Sequence, residues 1–187
     1  SKLVAVVNGG NVFTSSNYGV NWTVRANGFG NLNWSSVAAS ADGMKLVATV
    51  NPGFIYTSTD AGTNWTQRIS SGNRNWTSVA SSLDGNKLIA CAANVGVFVS
   101  TDSGANWPAT PSLVGAANFS GVASSGNGSN VVAVIQGLQI YTSATNGVGS
   151  SWIPRDSNRA WTCIASSADG SRLVAGVNGG FLYVSPD

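Results

Sequence analysis

The residues with chemistry to offer are five arginines and a set of tryptophans that recur at fixed offsets. Arg25, Arg68 and Arg155 each follow a tryptophan by three positions, and Arg74 and Arg159 each precede one by two. A guanidinium pairs carboxylate or sulfate in a fixed, planar fork, so a ring of such arginines would be a ring of anion sites. Asn8, Asn11, Asn51, Asn94, Gln136, Gln139 and Asn178 recur near them, as do Trp34, Trp76 and Trp161. Arginine, amide and aromatic side chain together form a vocabulary for binding acidic sugars. The plainer reading is that duplication of a repeat copied surface arginines that lie along aromatic rings, with the tryptophans in the core.

Absences bound the chemistry further. The chain has no histidine and no glutamate, and its seven acids are all aspartates. Serine–histidine and cysteine–histidine mechanisms are excluded, as is any glutamate nucleophile or proton donor, and the commonest metal ligand is missing. We therefore expect no catalytic residues, no metal site and no cofactor. Only 9% of the 187 residues are charged against 43% hydrophobic, where an ordinary domain has about 25% charged. Solubility rests on Ser, Thr, Asn and Gly. No apolar run approaches the roughly 20 residues of a membrane-spanning helix, and no signal peptide is visible.

The elements that position these residues come from a repeat. "KLVAVV" at Lys2 returns at Lys45, Lys87, Asn130 and Arg172, in steps of 43, 42, 43 and 42. "NWSSVAAS" at Asn33 returns at Asn75, Asn118 and Ala160. Each unit divides into four short strands. In the second unit these are strand a at 34–39, b at 45–50, c at 54–58 and d at 65–68, with "SADG" and "NPG" as turns. Asp-Gly between apolar runs is a hairpin signal, β-branched and aromatic residues dominate the runs, and b and c are apolar enough to be covered on both faces. Residues 1–187 therefore read as one all-β domain. It is a β-propeller of four-stranded antiparallel blades, about five in number, with incomplete terminal blades.

The segment between c and d carries a second signature. "STDAGTNW" at 58–65 returns as "STDSGANW" at 100–107. This pattern resembles the Asp-box, or BNR repeat, of sialidases, sortilin-type receptors, photosystem assembly factors and uncharacterised bacterial propellers. Ser58, Asp60, Gly62 and Trp65 match it fully, as do Ser100, Asp102, Gly104 and Trp107. The first copy has Asn17 in place of the acid, the fourth (143–152) has two extra residues and no acid, and a fifth begins at Ser185 and reaches Asp187. The resemblance implies a structural box away from the ligand face. The aspartate ties its own loop as Asx turns do, and the tryptophan plugs the space between sheets. One carboxylate per loop is too few for calcium.

Strand order assigns sides. The a–b turns and c–d loops share one face and carry six of the seven acids; the b–c and d–a connections share the other and carry the five arginines with Asp156 alone opposing them. The first face is net negative and the second net positive. The closing strand at 161–166 either belongs to a fifth blade or completes the first, and the terminal blades are expected to dock side by side or to be completed by another chain, giving a homo-oligomer. Cys91 and Cys163 fall in separate blades and read as two buried free thiols.

The functional reading is a non-catalytic binding propeller, lectin-like with a preference for acidic glycans at Arg25, Arg68, Arg74, Arg155, Arg159, Asn51, Asn94, Trp34, Trp76 and Trp161. Arg68 and Arg74 bracket the best site, and Thr110 replaces the arginine in the third unit. The alternative is a structural or protein-assembly scaffold with another protein as partner. A sialidase-like hydrolase ranks behind both, because that chemistry requires an arginine triad with a glutamate-activated tyrosine. Nucleic acid is not expected, since five arginines lack the density of a phosphate-tracking surface. Neither is a membrane partner. The expected setting is extracellular or periplasmic, in a bacterium.

Overall fold

The computed structural model describes residues 2–25, 28–109, 116–148 and 151–185. They form a β-propeller. The first blade contains β1 (Leu3–Val6), β3 (Val12–Ser15) and β4 (Thr23–Arg25), while the short β2 (Asn8–Gly10) leaves it to pair with β5. The second blade is β5 (Leu32–Ala39), β6 (Leu46–Val50), β7 (Ile55–Ser58) and β8 (Thr66–Arg68), hydrogen-bonded in that order. The third is β9 (Trp76–Ser81), β10 (Leu88–Ala92) and β11 (Gly96–Ser100). Among the described residues its fourth strand is a single bridge between Phe98 and Ala109, next to Pro108, which has no N–H to give to a ladder.

The fourth and fifth blades share long strands. β12 (Phe119–Ser124) pairs with β13 (Val131–Ser143), which runs through the b–c turn. β14 (Ile153–Ser166) runs from the fourth strand of one blade into the first strand of the next. β15 (Leu173–Val177) and β16 (Leu182–Ser185) follow, with β16 at the sheet edge. The 161–166 strand pairs with β15, not with the first blade. β1 and β16 belong to different sheets, so the terminal blades are not joined through their strands.

Blade contact is made by alternation. Within b and c, one set of side chains (Val47, Ile55 and Thr57 in the second blade) faces the following blade, and the other (Leu46, Ala48 and Tyr56) faces the preceding one. This follows from the period of two along a strand. Four apolar clusters result, one per seam. Val12 meets Leu46, Tyr56 and Trp65; Val47 and Ile55 meet Leu88, Phe98 and Trp107; Val97 and Val99 meet Val131, Tyr141 and Trp152; Val132 and Ile140 meet Trp161 and Ala175.

A feature absent from the hydropathy pattern locks the seams. Each first strand carries a β-bulge at the same position, leaving Ser35, Thr77, Ser120 or Thr162 outside the register. In the third and fourth blades the bulge lets the hydroxyl reach across the seam, whereas Ser35 and Thr162 donate to Thr49 O and Gly176 O within their own blades. Thr77 Oγ1 donates to the Phe119 carbonyl at 2.9 Å and Ser120 Oγ to the Trp161 carbonyl at 2.8 Å, each one blade on. The a–b turns are chained likewise, Ala41 N–H to Leu83 O, Leu83 N–H to Gly126 O and Gly126 N–H to Ala168 O, at 2.6–2.8 Å.

Candidate functional site

The c–d loops are self-contained. Ser58 Oγ donates to Asp60 Oδ1 (2.8 Å) and accepts from the Gly62 N–H (2.9 Å). Asp60 accepts from the Asn64 N–H (2.8 Å) and side-chain amide (2.7 Å), and the Trp65 indole N–H donates to Gly62 O (3.1 Å). Ser100, Asp102, Gly104, Asn106 and Trp107 repeat every bond within 0.2 Å. Asn17 does the work of the acid in the first copy, accepting from the Asn21 N–H at 2.9 Å. The Asn64 N–H and amide hold the Asp60 carboxyl below its usual range. Partial burial pushes the Asp102 carboxyl up, and the Asn106 N–H and amide more than offset this. These carboxylates spend their acceptor capacity on their own loops. Among the described residues no group of three or more potential ligands converges on a metal position.

Those loops and the a–b turns share a face, since Ala61 N–H donates to Met44 O and Ser103 N–H to Asn86 O. In the a–b turns Ser40, Ser82 and Ser167 donate to Asp42, Asp84 and Asp169 at 2.5–2.6 Å. The Ser167 hydroxyl, with the Ser171 N–H and hydroxyl, brings the Asp169 carboxyl down to about 2.

The arginines divide into two geometries. Arg25, Arg68 and Arg155 lie within fourth strands, Arg68 closing the strand read from sequence at 65–68, so these three do not project from the d–a connections expected to carry all five arginines. Their Nε atoms donate to Thr14, Thr57 and Thr142 Oγ1 at 2.8, 2.7 and 3.2 Å, which draws each guanidinium back along its own blade. The reason is register: these threonines lie two residues along strand c from the residue opposite each arginine. The second geometry belongs to Arg74 and Arg159, which open first strands. Arg74 lies 4.5 Å over the Phe98 ring and Arg159 4.4 Å over the equivalent Tyr183.

The pair expected to form the best site, Arg68 and Arg74, is therefore divided between blades, one guanidinium on Thr57 and the other on Phe98. Trp34, Trp76 and Trp161 are 5%, 0% and 0% exposed; they pack on Tyr56, Phe98 and Tyr183 at 5.0–5.2 Å and offer no open ring to a sugar. Asn51 precedes a cis peptide bond to Pro52, and its N–H donates to Asn33 O at 2.9 Å. Asn94 is exposed in the equivalent turn, with φ 59°. Thr110 and Asp187 lie outside the described residues. Cys91 is buried and its thiol is pushed up to about 12 by desolvation. Cys163 is exposed, contrary to the sequence expectation, because among the described residues no strand packs on that side of the fifth blade.

One difference between the two aromatic-stacked arginines escaped sequence reasoning. Arg74 Nε donates to Ser71 O (3.0 Å) and the Trp76 indole to Gly72 O (3.4 Å), supplied by a short 3₁₀ turn, Ile69–Ser71, and the glycine that follows it. The fourth-to-fifth connection is continuous strand, and there Arg159 Nε and Trp161 Nε1 are buried without an acceptor. Asp156 reaches only the far end of Arg159, Nη2, at 3.4 Å; this is the one ion pair among the described residues.

A structure of YCF48 bound to a D1 peptide matches 97% of the chain at 22% identity and TM-score 0.67. YCF48 from Cyanidioschyzon merolae matches 94% at 20% identity and TM-score 0.67, and an ancestral GH74 enzyme 98% at 19% identity and TM-score 0.71. The chain spans 58%, 59% and 30% of those proteins respectively. At such identities the likeness is one of fold. No curated protein matches. The DUF6242 beta propeller domain profile matches residues 3–184, and with a match of that extent the chain belongs to the DUF6242 β-propeller domain family.

Proposed function

We propose that the chain is a non-catalytic binding propeller whose arginine-bearing face takes a segment of another protein, at the start of the fifth blade. The reading is carried by one observation. Arg159 Nε and Trp161 Nε1 are buried donors without an acceptor, where Arg74 Nε and Trp76 Nε1 have Ser71 O and Gly72 O. An unmet donor of this kind costs about 1–3 kcal/mol. A backbone carbonyl or carboxylate pressed into this corner, with slight opening of the 156–159 segment, removes that cost. A peptide brings carbonyls at a regular spacing, and the positive face favours an acidic one. The YCF48 structure with its bound peptide shows another propeller of this fold as a peptide receptor.

Acidic glycans are the second ligand class, and they would use the same arginines; the burial of Trp34, Trp76 and Trp161 removes the aromatic platform that favoured them. The c–d motif loops fit the Asp-box as structural ties, which is the role we assign them. The absence of histidine and glutamate supports the non-catalytic reading.

The test is binding of a labelled acidic peptide library, a neutral library and acidic glycans to wild type, Arg159→Gln and Arg74→Gln. Acidic peptides should bind best, and Arg159→Gln should weaken them by about tenfold, the worth of one charge-assisted bond. Arg74→Gln should change little. Binding of glycans without peptides would replace this reading by the lectin-like one, and equal affinities for acidic and neutral peptides would remove it.

A further inference from the structure

The corner at Arg159 and Trp161 is framed like its sibling at Arg74 and Trp76 and bridged differently. In the second-to-third connection Arg68 pairs with Ile55 and Arg74 with Gly53, so residues 69–73 span the width of one residue, Phe54. In the fourth-to-fifth connection Arg155 pairs with Ile140 and Arg159 with Leu138, and Asp156, Ser157 and Asn158 span the width of Gln139. The ends are anchored at equivalent positions and the aromatic floor is the same, with Trp161 5.2 Å from Tyr183 where Trp76 is 5.0 Å from Phe98. The shorter bridge therefore lacks the turn itself. In the second and third blades the indole acceptors, Gly10 O and Gly72 O, come from segments that precede the tryptophan. The corresponding segments before Trp161, the b–c turn at 136–138 and the connection at 153–160, are all described.

The turn at 69–72 shows what fits such a corner. Two successive carbonyls, Ser71 O and Gly72 O, accept from the arginine and the indole. The buried Ser71 closes the turn on itself, its hydroxyl donating to Arg68 O at 2.7 Å. Gly72 stands at φ 73°, and a Cβ there would lie 3.2–3.4 Å from the Arg74 guanidinium, so the position favours glycine. Over Arg159 and Trp161 the bridging residues are all exposed, and Asp156 stands at φ 56°, a conformation that residues other than glycine rarely take. Gln139 Nε2 donates to the Asp156 carbonyl at 2.9 Å, and the 3.4 Å pair with Arg159 holds its carboxylate; both contacts lie at the surface. The bridge is a flap over a completely buried tryptophan whose N–H has no acceptor.

We propose that the corner under residues 156–158 receives a Ser-Gly turn from the partner protein, in the conformation that residues 69–72 adopt within this chain. The inference rests on the function proposed above and names the part of the acidic segment that is read. The serine and glycine carbonyls accept from Arg159 Nε and Trp161 Nε1, as Ser71 O and Gly72 O accept from Arg74 and Trp76. The glycine is selected because it takes the left-handed conformation without steric cost and leaves room for the guanidinium. The 156–158 residues swing outward, exchanging two surface contacts for two bonds to buried donors. Acids flanking the turn stay on the positive face, beside the exposed Arg155.

The experiment titrates three labelled, end-capped peptides into the chain: Asp-Ile-Ser-Ser-Gly-Asn-Asp, the same peptide with Ala for Gly, and a neutral one with Asn for both Asp. A second protein carries the turn in cis, with Ile-Ser-Ser-Gly-Asn grafted in place of residues 156–158, which restores the length of the second-to-third connection. The acidic glycine peptide should bind the parent chain about tenfold more tightly than the alanine peptide, the factor that a left-handed alanine costs. The grafted chain should melt about 2–4 °C higher for each donor satisfied and bind the peptide at least about tenfold more weakly. Equal binding of the glycine and alanine peptides overturns the turn and leaves the acidic-segment reading standing. Equal binding of the acidic and neutral glycine peptides removes the acidic preference and keeps the turn, and no binding of any peptide removes both. A grafted chain that melts no higher, or that binds the peptide as the parent does, also overturns the proposal.

Discussion

Trp76 and Trp107 stand with ring centroids 6.5 Å apart and planes inclined by 54°, one from the first strand of the third blade and the other from its c–d loop. Trp34 and Trp65 repeat the relationship in the second blade at 6.1 Å and 49°. The pair joins the inner and outer parts of a blade through one apolar cluster, and that cluster also holds Val47 and Ile55 of the blade before. The loop tryptophan therefore belongs to the seam as much as to its own blade.

Its energetic weight should follow how deeply it is buried. Trp107→Ala should destabilise the chain by about 3–5 kcal/mol, as for other buried aromatics. Trp22, at the same motif position, is 43% exposed, and Trp22→Ala should cost less than about 1 kcal/mol. Urea melts of the two variants check this; equal costs would mean that the seam is not what the tryptophan stabilises.

The bulge hydroxyls allow a matched comparison. Thr77→Val removes the donor to Phe119 O and leaves that carbonyl one bond poorer, at about 1 kcal/mol. Thr162 bonds only within its own blade, to Gly176 O at 3.3 Å, so Thr162→Val should be closer to neutral. Melting temperatures of the pair test whether the bulge is an inter-blade tie.

Acid stability should follow the aspartates. Asp42, Asp60, Asp84, Asp102 and Asp169 all have folded values held below the ordinary 3.8, Asp169 near 2. A depressed folded value contributes stability that is fully present above the unfolded pKa and is lost as pH falls through the folded one. The melting temperature should hold steady from pH 7 to about 5 and fall between about 4 and 2. Asp60→Ala should lower it at pH 7 and reduce the acid-dependent fall, with binding to the arginine face unchanged. A variant that keeps its melting temperature but loses binding would show the loop to be a ligand site.

Thiol chemistry should separate the two cysteines. A maleimide reagent should label the exposed Cys163 in the folded chain within minutes and reach Cys91, with its buried and strongly raised thiol, only on unfolding. Protection of Cys163 in the native chain would show that the outer side of the fifth blade is covered in solution.

The sequence by itself determined the blade. Steps of 42 and 43 residues, Asp-Gly turns and alternating apolar strands leave few other ways to bury so many β-branched side chains. It also placed the loop tie of Ser58, Asp60, Gly62 and Trp65, because those contacts span only a few residues and local spacing specifies them. Only the tertiary structure decided what each repeated residue faces. A period of two separates the sides of a strand but says nothing about what lies across a seam, so Trp22 and Trp107 look equivalent in sequence and differ in burial, and Cys91 and Cys163, both expected to be buried, differ as well. Likewise, five arginines at regular offsets suggested one ring. Register sent Arg25, Arg68 and Arg155 back onto Thr14, Thr57 and Thr142, aromatic stacking held Arg74 and Arg159, and the missing 3₁₀ turn left only Arg159 with an unmet donor. Those outcomes depend on contacts between strands or blades many residues apart, which no local pattern encodes.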